Sequence, residues 1–286
     1  MSKITVLDIH FEHEGVEASF HPVLISDKKD LILVDTAYEG FLPLIEEAIA
    51  DAGEDISRLS TLILTSSELD HIGAVAELLE KYPNVKVLAS EQERRYLEKE
   101  KIPKTVAALM LRTGQPTDDF DEPIASYVKM LKAVPAIKVD EIIKSRDFKH
   151  MGGGLEFITE SFQTMVFCDE DGLLIAGDVF KIDENEELQL GDIGYGLSIQ
   201  DLINLLSYLS SFDIAAISCF HGGLYAENTK DRLLELLEFL TAKLTRSQTQ
   251  IDDPNAIYLD MATFVPMGDV DIDLSKVEDV KIVEEK

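Results

Sequence analysis

The chain has 286 residues, and 26 Lys and Arg against 55 Asp and Glu leave a formal charge of −29 with the histidines neutral. Apolar residues make up 45% and charged residues 28%, a globular composition and not that of an acidic disordered chain. So large a negative excess opposes binding to the phosphate backbone of nucleic acids and to anionic membrane surfaces.

At the N-terminus, Met1 to Asp8 has neither the basic start nor the apolar stretch of a signal peptide. No later run approaches the roughly 20 apolar residues of a membrane-spanning helix. A cytoplasmic protein is the expectation. Val23–Ile25 and Leu31–Val34 read as two strands joined by a polar turn over 26–30. A helix follows, with Phe41, Leu44, Ile45, Ala48 and Ile49 on one face and Gly53 at its stop. Leu62–Leu64 reads as a strand, followed by a polar loop and a helix from Gly73 to Lys81; Val85–Leu88 is the next strand and 91–100 the next helix. This alternation indicates α/β layering.

Residues 102–147 break the rhythm with prolines and short helical pieces, and read as an insertion or lid. Strands resume at Leu155–Ile158, Thr164–Phe167 and Leu173–Ala176. Ser198, with Asp201 three residues on, caps a helix carrying Leu202, Leu205, Leu206 and Leu209. A buried strand over 215–220 and a long helix from about Asn228 complete the pattern. Cys168 and Cys219 each lie in a hydrophobic segment and are expected to be buried, reduced thiols. The expected organisation is a single domain over 1–245 with the insertion inside it, and an extension over 246–286 ending in an acidic tail. Nothing in the sequence supports an oligomer.

Polar residues that bear chemistry collect at the ends of apolar strands. Leu62–Leu64 runs into Thr65-Ser66-Ser67-Glu68-Leu69-Asp70-His71, where Glu68 and Asp70, two apart in extended chain, would point to one side. Leu173–Ala176 leads to Asp178, and the strand over 215–220 leads to His221-Gly222-Gly223. Each residue alone reads as a cap or a turn former. Asp70, His71, Asp178 and His221 together match the ligand chemistry of Zn²⁺, Mn²⁺ or Fe²⁺. His10, His13 and His21 read as surface groups, His150 as a turn residue, and the Ser66-Ser67 pair as loop filling without a base.

Leu31 to Thr36, Leu62 to Gly73, Leu173 to Asp178 and Cys219 to Gly223 resemble, in order and spacing, the metallo-β-lactamase-fold metallo-hydrolases up to about residue 245. The resemblance implies a four-layer αββα sandwich with a metal site at one sheet edge. It also exposes departures. The family loop reads His-x-His-x-Asp-His, whereas this chain has Ser66-Ser67-Glu68-Leu69-Asp70-His71, and the turn at 159–163 has no histidine where the family carries its third. The carried-over set is the second site: Asp70, His71, His221 and the bridging Asp178, with Asp35 at a structural position. It implies one divalent ion per chain, no second ion, and Asp70 as the catalytic residue that orients the water. Glu68 resembles in part the flavodiiron variant of the loop, and the lesser alternative is a rebuilt first site with Glu68 and Glu160 as additional ligands. The expected activity is weakened or narrow hydrolysis of a small ester, thioester, lactone or phosphoester. The alternatives are a non-catalytic binding or sensing relative and an iron-based oxygen sensor.

Overall fold

The computed structural model describes residues 2–13, 16–114, 116–122, 124–149, 151, 154–159, 163–191 and 198–249. They form two compact units that divide between residues 142 and 143. The expected extension beyond 249 and the glycine run at 152–153 lie outside the described residues.

The first unit is built on a six-stranded sheet. β1 (Lys3–Val6) precedes a separate hairpin of β2 (Ile9–His13) and β3 (Val16–Phe20); β4 (Val23–Ser26) and β5 (Leu31–Val34) return to the main sheet. The expected turn between β4 and β5 closes on the Asp27 carboxylate, which accepts from the Lys29 amide at 2.6 Å and the Asp30 amide at 2.8 Å. Helix α1 (Leu42–Asp51) buries Leu42, Ile45 and Ile49 and carries the chain to β6 (Leu59–Leu64). Two short helices, α2 (Leu69–Ile72) and α3 (Val75–Lys81), lead to β7 (Lys86–Ser90). β1, β4 and β5 pair antiparallel, and β5, β6 and β7 pair parallel. Every residue of β4 and β5 is buried, as the unbroken apolar runs require.

Ser90 ends β7 and caps α4 (Glu91–Leu97) by accepting from the Glu93 amide. The stretch expected as an insertion supplies α5 (Lys104–Thr113), α6 (Ile124–Ala133) and β8 (Glu141–Ile143), the last of which forms the sheet edge beside β7. Up to residue 142 it is therefore built into the first unit. Val106, Leu109, Val128 and Leu131 are buried.

In the second unit the sheet order is β16-β15-β12-β11-β10-β9, comprising β9 (Phe148–Lys149), β10 (Leu155–Ile158), β11 (Met165–Cys168), β12 (Leu173–Ile175), β15 (Ala216–Cys219) and β16 (Gly223–Tyr225). β12 and β15 are parallel and the other neighbours antiparallel. A hairpin of β13 (Phe180–Ile182) and β14 (Leu188–Leu190) follows β12. α7 (Ile199–Leu209) starts at the expected capping box: Asp201 N–H donates to Ser198 Oγ, and the Ser198 amide donates to the Asp201 carboxylate. α7 and α8 (Thr229–Thr249) bury Leu202, Leu206, Leu209, Leu236 and Leu240 against Phe167, Leu174, Phe180 and Ile217. Both cysteines are free and buried, and burial pushes the Cys168 thiol up to about 12 and Cys219 higher still. No helix among the described residues is long and apolar enough to cross a membrane.

One charged pair ties the former insertion to α4. Lys104 Nζ donates to Glu93 Oε1 at 2.7 Å, with the two side chains only 6% and 0% exposed. Removing one partner strands the other charge in the interior. Lys104→Ala is expected to cost about 3–5 kcal/mol in chemical denaturation, and the double replacement Glu93→Leu/Lys104→Leu clearly less.

Candidate metal centre

The loop that leaves β6 is organised by a carboxylate from the neighbouring strand. Asp35, one residue past β5, adopts φ 63°, and its amide donates to the Ile63 carbonyl at 2.8 Å. This turns its side chain under the loop. Oδ1 accepts from the Thr65 amide at 2.8 Å, and Oδ2 accepts from the Thr65 hydroxyl and lies 3.0 Å from His71 Nδ1. Thr36 adds its amide and hydroxyl, both donating to the His71 carbonyl at 3.0 and 2.7 Å. His71 is fully buried. A carboxylate on Nδ1 favours the tautomer that carries its proton there and makes Nε2 the lone-pair nitrogen, the arrangement that orients ligand histidines. Asp35 thus positions His71, in keeping with the structural position that the resemblance implies for it.

Glu68 and Asp70 do not share a face of extended chain, which corrects the expectation from alternation. Glu68 is the N-cap of α2 with ψ 155°, while Asp70 and His71 already lie in the helix. Its carbonyl accepts from the amides of His71 and Ile72. The Glu68 side chain reaches the former insertion, where Oε2 accepts from the hydroxyls of Thr105 on α5 and, at 2.8 Å, Tyr127 on α6. Oε1 is buried with no hydrogen-bond partner among the described residues. Burial pushes the Glu68 carboxyl above the usual range, against the Lys104 ammonium and the two hydroxyls, which pull it down. Thr105 and Tyr127 carry no local signal for this role, because they lie 37 and 59 residues away in sequence.

In the second unit Asp178 follows β12 and is held by Gln163 in a reciprocal pair. The Asp178 amide donates to Gln163 Oε1 and Gln163 Nε2 donates to Asp178 Oδ2, both at 2.9 Å. Asp178 Oδ1 lies 3.5 Å from His221 Nε2, so two of the expected residues are brought side by side. Two glycines shape this corner. Gly222 takes φ 103°, with the space for a Cβ filled by Ile182 at 2.7 Å, and a Cβ on Gly191 would stand 1.8 Å from the Asp178 carbonyl oxygen. Gln163 occupies the turn from which the family's third histidine is missing. Glu160 lies outside the described residues.

A metal site needs three or more protein donors converging on one point. Among the described residues, no group of three or more His, Cys, Asp and Glu is arranged to hold a metal ion. The donors in view are pairs: His71 with Asp35 and His221 with Asp178. Neither pair supplies, within its own unit, the three donors that a metal ion needs.

The raised Glu68 carboxyl has a consequence for stability. Its value in the unfolded chain is near 4.5 and its folded value is higher, so the folded state holds the proton more tightly. That contribution is fully present below 4.5 and is lost as pH rises through the folded value. Glu68→Gln, which keeps an acceptor for Thr105 and Tyr127 without the charge, is expected to melt higher than the parent at neutral pH. The gap should shrink in acid, as followed by thermal denaturation across pH.

A family model for the metallo-beta-lactamase superfamily matches residues 21–221. No curated protein matches the chain. Among solved structures, a metallo-beta-lactamase family protein from Thermus thermophilus is similar at 19% identity, covering 87% of this chain and 83% of that one with a TM-score of 0.63. The metallo-beta-lactamase FIM-1 from Pseudomonas aeruginosa, in its mono-zinc form, is similar at 16% identity, 83% and 91% coverage and a TM-score of 0.54. A mutant flavo di-iron protein from Thermotoga maritima is similar at 17% identity over 83% of this chain and 58% of that one, with a TM-score of 0.58. The expected fold is thereby established: this chain belongs to the metallo-beta-lactamase superfamily and has its fold.

Proposed function

We propose that this chain uses the superfamily's hydrolase-like fold as a binding or sensing scaffold and has given up the two-metal hydrolytic centre. The observation that carries this reading is Glu68. Two positions earlier, Ser66 stands where the family motif begins with histidine, and Glu68 stands where its second histidine belongs. Glu68 is engaged with Thr105 and Tyr127 inside the first unit. A two-metal clamp on a bridging hydroxide needs nitrogen ligands that this loop no longer supplies. Ser66 serves the loop itself, its Oγ accepting from the Glu68 amide at 3.2 Å. Gln163, at the end of the turn that has no histidine, is hydrogen-bonded to Asp178.

A second reading has one observation in its favour. His71 keeps a buried carboxylate on Nδ1, and His221 keeps Asp178 beside Nε2 at 3.5 Å. Under that reading Asp70, His71, Asp178 and His221 take one Zn²⁺, Mn²⁺ or Fe²⁺, and the protein is a slow hydrolase of a small ester, thioester, lactone or phosphoester.

Dialysis of tag-free protein against each metal, followed by elemental analysis and an ester and thioester hydrolysis assay, separates the two. The binding reading expects well under one ion per chain, no turnover above buffer, and no change in either on His71→Ala or His221→Ala. One tightly held ion per chain that both substitutions remove, together with hydrolysis, would overturn it.

A further inference from the structure

The first unit contains a cavity of about 150 Å³ that has no part in the metal question. Its walls are buried and apolar, formed by Ile72, Leu97, Leu131 and Val134. Cavities of about this size lined by aliphatic side chains stay dry and take a ligand the size of a benzene ring. Two further features make this one more than a packing defect.

The first is Ser67. It lines the cavity, is 3% exposed, and its Oγ has no hydrogen-bond partner among the described residues. A buried hydroxyl left unpaired is costly, and most such groups in folded proteins find a partner. The second is charge. Lys99, Lys101 and Lys132 line the same cavity and are exposed, so they stand at its mouth. Lys99 Nζ donates to the Lys132 carbonyl at 2.8 Å, Lys132 Nζ donates to the Thr117 hydroxyl at 2.9 Å, and Lys101 Nζ sits 5.6 Å from the centre of the Tyr96 ring. No ion pair joins any of the three to a carboxylate among the described residues. Glu98 and Glu100, the carboxylates beside Lys99 and Lys101 in the chain, are both paired with Arg94, so three ammonium groups without an ion pair among the described residues stand round one apolar cavity. Screening over about 8 Å in physiological salt weakens the field of the more distant carboxylates.

We infer that this cavity binds a small carboxylate with a ring-sized apolar body and a polar group at its far end. The carboxylate sits among Lys99, Lys101 and Lys132, the ring lies between Leu97, Leu131 and Val134, and the buried Ser67 hydroxyl turns about its Cα–Cβ bond to meet the far group. 4-Hydroxybenzoate has this form; benzoate lacks the far group and benzyl alcohol lacks the carboxylate. The inference rests on the binding reading for its use to the cell, but its test does not, because metal content and acid binding are measured separately and either can fail alone.

Titration calorimetry of the full chain with the three compounds tests it. Saturable binding is expected for 4-hydroxybenzoate, weaker binding for benzoate and none for benzyl alcohol. Lys101→Gln/Lys132→Gln, both on the surface, should weaken both acids by about tenfold, as expected for the loss of charge-assisted contacts. Ser67→Ala should bring 4-hydroxybenzoate down to benzoate and leave benzoate unchanged. Backbone amide shifts on saturation should centre on Ser67, Leu97 and Leu131. No saturable heat at millimolar acid overturns the inference. So does equal binding of acids and alcohol, insensitivity to the lysine changes, or a Ser67→Ala variant that treats the two acids as the parent does.

Discussion

The Asp35 carboxylate is the constraint on which the rest of the site depends. It is 2% exposed, sits on a residue forced to positive φ, and gathers the Thr65 amide, the Thr65 hydroxyl and the His71 ring. A non-glycine residue holds such a backbone conformation only where its surroundings over-determine it. Here the amide is fixed by Ile63 and the side chain by three donors, so the loop after β6 leaves the sheet in one direction. Everything downstream inherits that direction: the capping position of Glu68, the turn of α2, and the burial of His71.

Given this anchor, the substitutions in the loop have a coherent physical reading. In a metal-binding loop the leading side chains face a cation, which repays the cost of burying their dipoles and charges. Here a serine hydroxyl closes onto the loop backbone, and Glu68 is buried among hydroxyls with its charged form disfavoured. α5 supplies Thr105, and α6, which supplies Tyr127, also walls the apolar cavity with its last turn. Successive residues, Ser67 and Glu68, thus serve two different features of one unit. In this chain the loop joins the sheet to a pair of helices.

The fold was legible because its signals are local. Unbroken apolar runs marked β4, β5, β6 and β12, and the Ser198–Asp201 pair marked the start of α7 to the residue. The positions of Asp178 and His221 at strand ends were legible for the same reason. Two kinds of information were not. The first was local but ambiguous: the polar loop over 65–68 gave no warning that the helix begins at Leu69, which placed Asp70 on a helical turn and not on extended chain. The second was long-range. Nothing near Asp35 names His71 as its partner, nothing near Gln163 names Asp178, and the partners of Glu68 come from a stretch whose only visible feature was its irregularity. Side-chain pairing across 15 to 59 residues depends on packing that periodicity does not encode.

The most direct test of the claim that this loop is now a structural joint is anomalous diffraction from crystals soaked in Zn²⁺, recorded at the zinc edge. The account predicts no anomalous peak in contact with Glu68, Asp70, His71, Asp178 or His221, and a Glu68 carboxylate still receiving Thr105 and Tyr127. A peak about 2.0–2.2 Å from His71 Nε2 or His221 Nε2, shared with Asp178, would contradict it.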